Sequence, residues 1–242
     1  MSKRILIMAA GTGGHVFPAL AIGLALREKG AEVCWLGTDD HLEKEVANTH
    51  GFEFFPIAIS GLRGKGVFKL LSAPFQLLHA LFQSMRVVLK VKPDVVLGFG
   101  GFVAGPGGLA AWLLRRKLVI HEQNAVFGFT NKILSYFSSQ VFTGFSNTLS
   151  RGLIKARCKH ARWIGNPIRD AILKIPVPLE RFKGRDKTIR LLVMGGSLGA
   201  RVFNQVVPEA LALLDKDCAL EVWHHGLVAS SARTLLPWPR PI

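Results

Sequence analysis

Three times along the chain a short apolar run gives way to a glycine-rich loop and then to a helical pattern, and this recurrence constrains the fold more than any other feature. The runs are RILIM (4–8) ahead of GTGGH, DVVLG (94–98) running into GFGGFVAGPGG, and RLLVM (190–194) ahead of GGSLGA. Glycines let a backbone turn tightly and approach an anion closely, and a helix that opens just behind them adds a positive dipole end. Other segments keep the same rhythm. EVCWLG (32–37) and FEFFPIAI (52–59) read as strands on either side of a charged helix, DHLEKEVANTH, which Gly51 stops. KLVIHEQNAVFGFTNKILSYF (117–137) reads as strand, polar loop and helix, and the first helix is expected from about Pro18 to Lys29, stopped by Gly30. Strict alternation of strand and helix predicts an α/β fold with parallel sheets covered on both faces. The expectation is two Rossmann-like doubly wound domains, the second incomplete, because residues 188–242 fall short of the ~100 to 150 of a usual domain.

Composition narrows the partners. Of 242 residues, 49% are hydrophobic and 19% charged, enough to bury a core, while 31 Lys and Arg against 16 Asp and Glu leave a formal charge of +15. Such a balance implies anionic partners: nucleic acid, an acidic membrane surface or phosphorylated substrates. No nucleic-acid-binding module is recognisable, so no nucleic acid is expected. Three widely separated cysteines, Cys34, Cys158 and Cys218, form no CxxC, which argues against a disulfide framework and a zinc site and fits a reducing cytoplasm. Lys3 and Arg4 before ILIMAA resemble the start of a signal peptide, but Gly11 and His15 end the apolar run too early. No stretch reaches the ~18 uninterrupted apolar residues of a spanning helix, so membrane association is expected from the side.

Residues 61–92 carry Arg63, Lys65, Lys69, Arg86, Lys90 and Lys92 and no acid, with Phe68, Leu71, Phe75, Leu78 and Phe82 at helical spacing. This basic amphipathic stretch, with Trp112, Arg115 and Arg116, suits an anionic membrane surface. The alternative is a helix whose apolar stripe faces the sheet.

Taken in order, GTGGHVFPAL (11–20), SGLRGKG (60–66), KPDVVLGFGGFVAGPGG (92–108), HEQNAVFGFTNK (121–132), GNPIR (165–169) and GGSLGAR (195–201) closely resemble the MurG family of bacterial N-acetylglucosaminyltransferases, within glycosyltransferase family 28. The resemblance runs from residue 1 to about Trp223. It implies a GT-B fold and an inverting transfer of N-acetylglucosamine from UDP-N-acetylglucosamine to the C4 hydroxyl of the muramyl sugar of undecaprenyl-diphosphate-linked lipid I, forming lipid II for peptidoglycan synthesis. It further implies no cofactor and no metal, with UDP-N-acetylglucosamine as donor substrate. The implied location is peripheral, at the cytoplasmic face of the bacterial plasma (inner) membrane, and other cell-wall synthesis proteins are implied as partners. The domain layout expected is an N-terminal acceptor- and membrane-binding domain at 1–163, a linker and hinge at 164–187, and the start of a UDP-sugar-binding domain at 188–223.

The candidate site residues come from residue chemistry and this resemblance together. Thr12, Gly13 and Gly14 carry over as substrate contacts, although GTGGH lacks the GxGxxG spacing and a tight structural turn would use the same glycines. Asp39 and Asp40, after the second strand, could mimic a ribose-binding carboxylate. His15 lies where a helix start and partial burial disfavour the imidazolium, which leaves a neutral ring suited to a general base; the bland alternative is a capping or packing histidine. Glu122 is the rival: it could take the hydroxyl proton, orient His15, or simply brace its loop. Asn124 carries over as a nucleotide-sugar contact, Arg169 as a clamp on diphosphate charge and Ser197 as a donor to the UDP phosphates. Gly100, Gly101, Gly105 and Gly107 form an expected cradle for the lipid diphosphate. Two departures from the family pattern remove polar contacts: Phe102 stands where Tyr is common, and Leu198 where Gln is common. The membrane patch comprises Phe68, Lys69, Phe75, Phe82, Arg86 and Trp112.

DKD (215–217) imitates the metal-binding DxD of another glycosyltransferase class, but it comes after the helical run EALALL; His224 and His225 have no ligand partners in sequence. After LEVWH, residues 224–242 depart from the family's continuation, lack acids and carry three prolines near the end. The reading is an aberrant tail arising from a frameshift or premature end near His224, in a chain lacking the family's uracil, ribose and much of its N-acetylglucosamine site. The alternative function is then a catalytically inactive fragment that keeps membrane and acceptor binding.

Overall fold

The computed structural model describes residues 2–39, 42–59, 67–150, 161–184, 188–195, 201–214, 220–227 and 233–237. The chain divides into two units, Met1–Lys174 and Ile175–Ile242.

The first unit is built on a parallel sheet. Its strands are β1 (Arg4–Met8), β2 (Glu32–Gly37), β3 (Glu53–Pro56), β4 (Val95–Gly98), β5 (Lys117–Glu122), β6 (Gln140–Thr143) and β7 (Ala161–Trp163), in the order β3-β2-β1-β4-β5-β6-β7. Every pairing is parallel, and β1 lies between β2 and β4. The inner strands β1, β2 and β4 are nearly continuous apolar runs because both faces are covered. On β1, Ile5 and Ile7 point to one layer with Val16, Ala19 and Leu20 of α1 (Gly13–Glu28) and Val46 and Ala47 of α2 (Leu42–Thr49). Leu6 and Met8 point to the other, with Ala80, Val88 and Val91 of α3 (Val67–Val91), Ala110 and Ala111 of α4 (Ala104–Leu113) and Leu134 of α5 (Phe129–Leu134). Fully burying each Leu or Ile contributes about 1.5–3 kcal/mol. Trp35 is fully buried on β2, and its indole N–H donates to Ala9 O at 3.1 Å, so no polar atom of the ring is stranded.

The alternation read from the sequence is the one observed, with differences at three ends. α1 opens at Gly13 rather than near Pro18: Thr12 O accepts the N–H groups of His15 and Val16 at 3.0 and 3.2 Å, which starts the helix inside the glycine motif. β3 stops at Pro56; beyond it Ile57 N still donates to Gly37 O, but Ala58 N turns to Gln83 Oε1 of α3 at 2.7 Å. α4 begins at Ala104, so Gly105 and Gly107 lie within a helix. Gly107 packs against the Met8 sulfur and Leu36, and its neighbour Gly108 against Leu134, so these two glycines let helix and core approach closely. Past α5, α6 (Asn147–Ser150) and α7 (Asp170–Leu173) are single turns.

α3 distributes its apolar residues in an unexpected way. Ala73, Ala80, Ser84, Val88 and Val91 face inward, and the helix packs along α4. Phe75 is 76% exposed and Phe82 61%, with Leu78 and Leu89 on the same outer side and Arg86 and Lys90 exposed nearby. The small residues meet the core and the large ones meet solvent, so the stripe read from the sequence does not face the sheet. The side chains of Phe68 and Lys69 lie outside the described residues.

The second unit holds α8 (Pro178–Arg181), α9 (Arg201–Ala212) and a sheet in the order β10-β9-β8, formed by β8 (Ile189–Met194), β9 (Leu220–Leu227) and β10 (Arg233–Pro237). β8 and β9 pair in parallel, β9 and β10 antiparallel, the latter joining residues 223–227 to 233–237. β8 has the composition of a core strand, yet Ile189, Leu191, Leu192 and Met194 are all exposed. Strand amides with so little apolar cover open locally at low cost. Hydrogen exchange measured residue by residue is therefore expected to run on the order of a hundredfold faster in β8 than in β1.

Candidate active site

In a doubly wound sheet the loops at the carboxyl ends of the strands part at the point where the strand order reverses, and ligands bind there. Here that point lies between β1 and β4. The loop after β1 carries Gly11, Thr12 and the first turn of α1; the loop after β4 carries Phe99 to Val103; the loop after β5 carries Gln123 to Gly128.

The first two loops touch. Gly101 has φ +79° and lies so close to Ala10 O that no side chain fits. Gly100 has φ +93°, and a Cβ there would sit 3.0 Å from His15 Cδ2, 3.1 Å from His15 Nε2 and 3.3 Å from Asn131 Nδ2. Glycine at this position leaves the Nε2 edge of the imidazole uncovered. The opposite ring nitrogen, Nδ1, is 3.2 Å from Thr12 Oγ1. Thr12 precedes α1 in an extended conformation and makes no side-chain capping bond, so its hydroxyl serves His15 instead. Burial lowers the proton affinity of His15 below that of an ordinary histidine, and the charge of Glu122 acts in the opposite direction.

Glu122 ends β5 and is 1% exposed. Its Oε1 accepts Asn124 N at 3.0 Å and Asn124 Nδ2 at 2.8 Å; its Oε2 accepts Gly128 N and Asn131 Nδ2, both at 3.0 Å. Four donors fill the carboxylate, the arrangement of a brace. Asn131, from α5, also donates Nδ2 to His121 O at 3.1 Å, which fixes its amide orientation and leaves Oδ1 buried without a protein partner. His121 points to the other face of the sheet: its Nε2–H donates to Gly165 O at 3.0 Å, its ring stacks near Phe99, and burial lowers its proton affinity.

Arg169 is exposed, and its guanidinium lies over the ring of Phe17 at 5.4 Å, while that ring covers Gly13. The first unit thus gathers Thr12, Gly13, Gly14, His15, Gly100, Gly101, Glu122, Asn124 and Arg169 on one edge. Gly105 sits in the first turn of α4, and Gly107 faces the sheet. Trp112 is exposed on α4, its ring 4.8 Å from that of Phe137. Ser197, Leu198, Asp40 and the DKD segment lie outside the described residues, as does the His225 side chain. Sequence alone does not single out Asn131; its one signal is a polar residue on an otherwise apolar helix behind HEQN. Phe17 carries no signal, since an aromatic residue beside a proline in a helix reads as core. Burial pushes the Cys34 thiol up to about 11, with Glu53 adding to the effect, so this cysteine is no nucleophile. Among the described residues no group of three or more His, Cys, Asp or Glu is placed to hold a metal ion.

A doubly wound parallel sheet with two glycine loops meeting over a histidine at its switch point has the form of the N-terminal domain of a GT-B glycosyltransferase. The chain belongs to glycosyltransferase family 28, whose N-terminal domain model matches residues 5–143. A relative from Aliivibrio fischeri (strain MJ11), described as a UDP-N-acetylglucosamine--N-acetylmuramyl-(pentapeptide) pyrophosphoryl-undecaprenol N-acetylglucosamine transferase, is 48% identical over 225 residues, 93% of this chain and 60% of that protein. A relative of the same description from Nitrosococcus oceani is 48% identical over 224 residues, 93% of this chain and 61% of its own. The crystal structure of Acinetobacter baumannii MurG superposes with a TM-score of 0.75 at 40% identity, covering 92% of this chain and 60% of that one. A putative UDP-N-acetylglucosamine 2-epimerase from Listeria monocytogenes shares the fold at 16% identity, with a TM-score of 0.63. The chain therefore spans about 60% of the length of the relatives it matches.

His15 and His121 both bind protons more weakly when folded than the ordinary value of 6.5. Between their folded values and 6.5 the unfolded chain carries more protons, so stability is complete above this window and is lost as pH falls through it. His121→Gln keeps an N–H for Gly165 O and does not titrate. In urea titrations on either side of pH 6.5 it is expected to flatten the acid loss of stability relative to the parent chain.

Proposed function

We propose that this chain carries the acceptor-side half of an inverting glycosyltransferase that moves N-acetylglucosamine from UDP-N-acetylglucosamine to the C4 hydroxyl of the muramyl sugar of undecaprenyl-diphosphate-linked lipid I. The observation that carries the reading is the geometry of the His15 ring: Nδ1 meets Thr12 Oγ1, Nε2 has room because position 100 has no side chain, and burial lowers the ring's proton affinity.

For the ring to act as base, Nδ1–H donates to Thr12 Oγ1 and the Nε2 lone pair faces the acceptor hydroxyl. As that hydroxyl attacks the anomeric carbon from the face opposite UDP, its proton passes to Nε2. The Glu122 charge, which raises the proton affinity of His15, favours the imidazolium that forms. Glu122 itself serves as the brace, since all four of its acceptor positions are taken. Gly100, Gly101 and the first turn of α4 at Gly105 cradle the acceptor diphosphate, with Arg169 as a cation beside the first turn of α1. Asn124, Thr12, Gly13, Gly14 and Ser197 are assigned to substrate contacts. No step needs a metal or cofactor.

The outer side of α3, with Phe75, Phe82 and Arg86, and the nearby α4 residue Trp112 form the surface for an anionic leaflet, with Phe68 and Lys69 as its extension. No helix among the described residues is long and apolar enough to cross a membrane. Binding is therefore assigned to the surface, at the cytoplasmic face where lipid I presents its head group. The domain layout in this reading is acceptor domain at 1–163, hinge at 164–187 and nucleotide-sugar domain from 188, with 224–242 set apart. The exposed faces of β8 favour one second reading, a fragment that keeps acceptor and membrane binding without turnover.

UDP release with UDP-N-acetylglucosamine and a lipid I analogue tests the base. His15→Ala is expected to lower kcat by about 10²- to 10⁴-fold, and turnover equal to the parent removes His15 from the role. Co-sedimentation with phosphatidylglycerol vesicles separates the two readings: vesicle binding without turnover supports the fragment. Phe75→Ser combined with Phe82→Ser is expected to reduce that binding by at least about tenfold, from the apolar area removed.

A further inference from the structure

α2 carries a carboxylate with no part in the proposed transfer. Glu43 lies in the first turn of α2 and has no exposed surface, 0%. Its Oε1 accepts Thr38 N at 3.3 Å and Thr38 Oγ1 at 2.6 Å; its Oε2 accepts Gly11 N at 3.3 Å. Gly37 makes the room, since a Cβ there would lie 2.9 Å from Glu43 Cγ and 2.7 Å from the Phe54 ring. A buried carboxylate ties the end of β2 to the first residue of the glycine loop after β1. An ionised carboxylate is the side chain that accepts from three donors without presenting a donor of its own.

The tie leads to His15 in two steps. Gly11, with φ +97°, sets the direction in which the chain enters Thr12. Thr12 O then opens α1 through His15 N and Val16 N, and Thr12 Oγ1 meets His15 Nδ1. A shift of Gly11 therefore moves both groups that orient the imidazole. Phe102 also packs on Gly11, its ring 3.4 Å from where a Cβ would be.

We propose that Glu43 is a positioning residue for His15, its carboxylate holding the Gly11–Thr12 turn from behind so that Nδ1 stays on Thr12 and Nε2 stays at Gly100. The proposal deepens, and rests on, the assignment of His15 as the base. It also says why an acid belongs behind an otherwise neutral glycine loop: the Gly11 N–H is spent on Glu43, and the loop is shaped for a side chain.

Glu43→Gln keeps the shape and changes one acceptor into a donor. Whichever way the amide turns, a backbone N–H of Gly11 or Thr38 then faces an NH2 group. Thr38→Val removes only the hydroxyl and leaves the Gly11 bond. Both variants are expected to lower the denaturation midpoint. Only Glu43→Gln is expected to change His15, read on the 242-residue protein by its carbethoxylation rate relative to exposed His79 and by the 15N shifts of its ring. That rate is expected to rise about fivefold, the factor of one ordinary hydrogen bond, with the ring tautomers averaging. Parent-like His15 readouts in a folded Glu43→Gln whose Gly11 amide exchanges faster than the parent's overturn the proposal. If that variant does not fold, or keeps its Gly11 bond, the parent decides: a Gly11 amide protected from exchange as well as the β1 amides upholds the tie, and exchange at the rate of an open loop overturns it. Turnover of His15→Ala reads the base assignment separately, so the two ideas fail on different measurements.

Discussion

Glu122 is buried at the end of an inner strand, and a charge in that position is tolerable only because four N–H donors converge on it. An uncompensated buried carboxylate costs several kcal/mol, so the donors are not free to wander. They come from Asn124 in the loop, Gly128 at the N-cap of α5 and Asn131 in the first turn of that helix. The course of the loop, the start of α5 and the orientation of the Asn131 amide are all set by one side chain. Through Asn131 the constraint reaches Gly100 and the imidazole of His15. The charge that organises this edge is also the one that opposes the effect of burial on His15. Geometry and proton affinity at the candidate base are thus set by the same group.

The sheet was legible because buried parallel strands write themselves as apolar runs: β1, β2 and β4 lie within a residue of where RILIM, EVCWLG and DVVLG put them. Glycine was the weaker guide. The glycines of GFGGFVAGPGG look alike in sequence, yet Gly100 and Gly101 serve a turn with positive φ, and Gly107 and Gly108 serve helix packing against Met8 and Leu134. Two glycines in the first turn likewise hid the start of α1. α3 shows a different limit. It carries two apolar stripes, one of Ala, Ser and Val and one of Phe and Leu, and hydrophobicity alone favours burying the larger. Close packing against α4 buries the smaller, a choice that depends on a partner surface no local pattern contains.

The site was legible in part for the same reason. His15 and Glu122 stood out by residue type and by their place after apolar runs. What separates a base from a brace is how many donors each one meets, and those donors come from residues remote in pattern. Asn131 and Glu43 show this most plainly: one is a polar residue in FTNKIL and the other one acid among several in LEKEVANT. Only the fold turns the first toward Glu122 and the second toward Gly11.

The segment after β7 shows how the first unit closes over this edge. Trp163 Nε1 donates to Gly144 O, Gly165 O accepts from His121, and Asn166 Nδ2 donates to Gln123 O. Gly144 has no Cβ because the Asn166 side chain occupies that space. Three successive polar ties, to β5 and to the loops after β5 and β6, leave little freedom for residues 167–169, and Arg169 comes to rest on the ring of Phe17. Phe17 and His15 belong to the same turns of α1, so the exposed cation and the candidate base take their positions from one rigid helix. A ligand charge held by Arg169 would therefore be registered against His15 by α1 itself. Residues 163–169 act in this respect as a wall of the site, fixed from three sides.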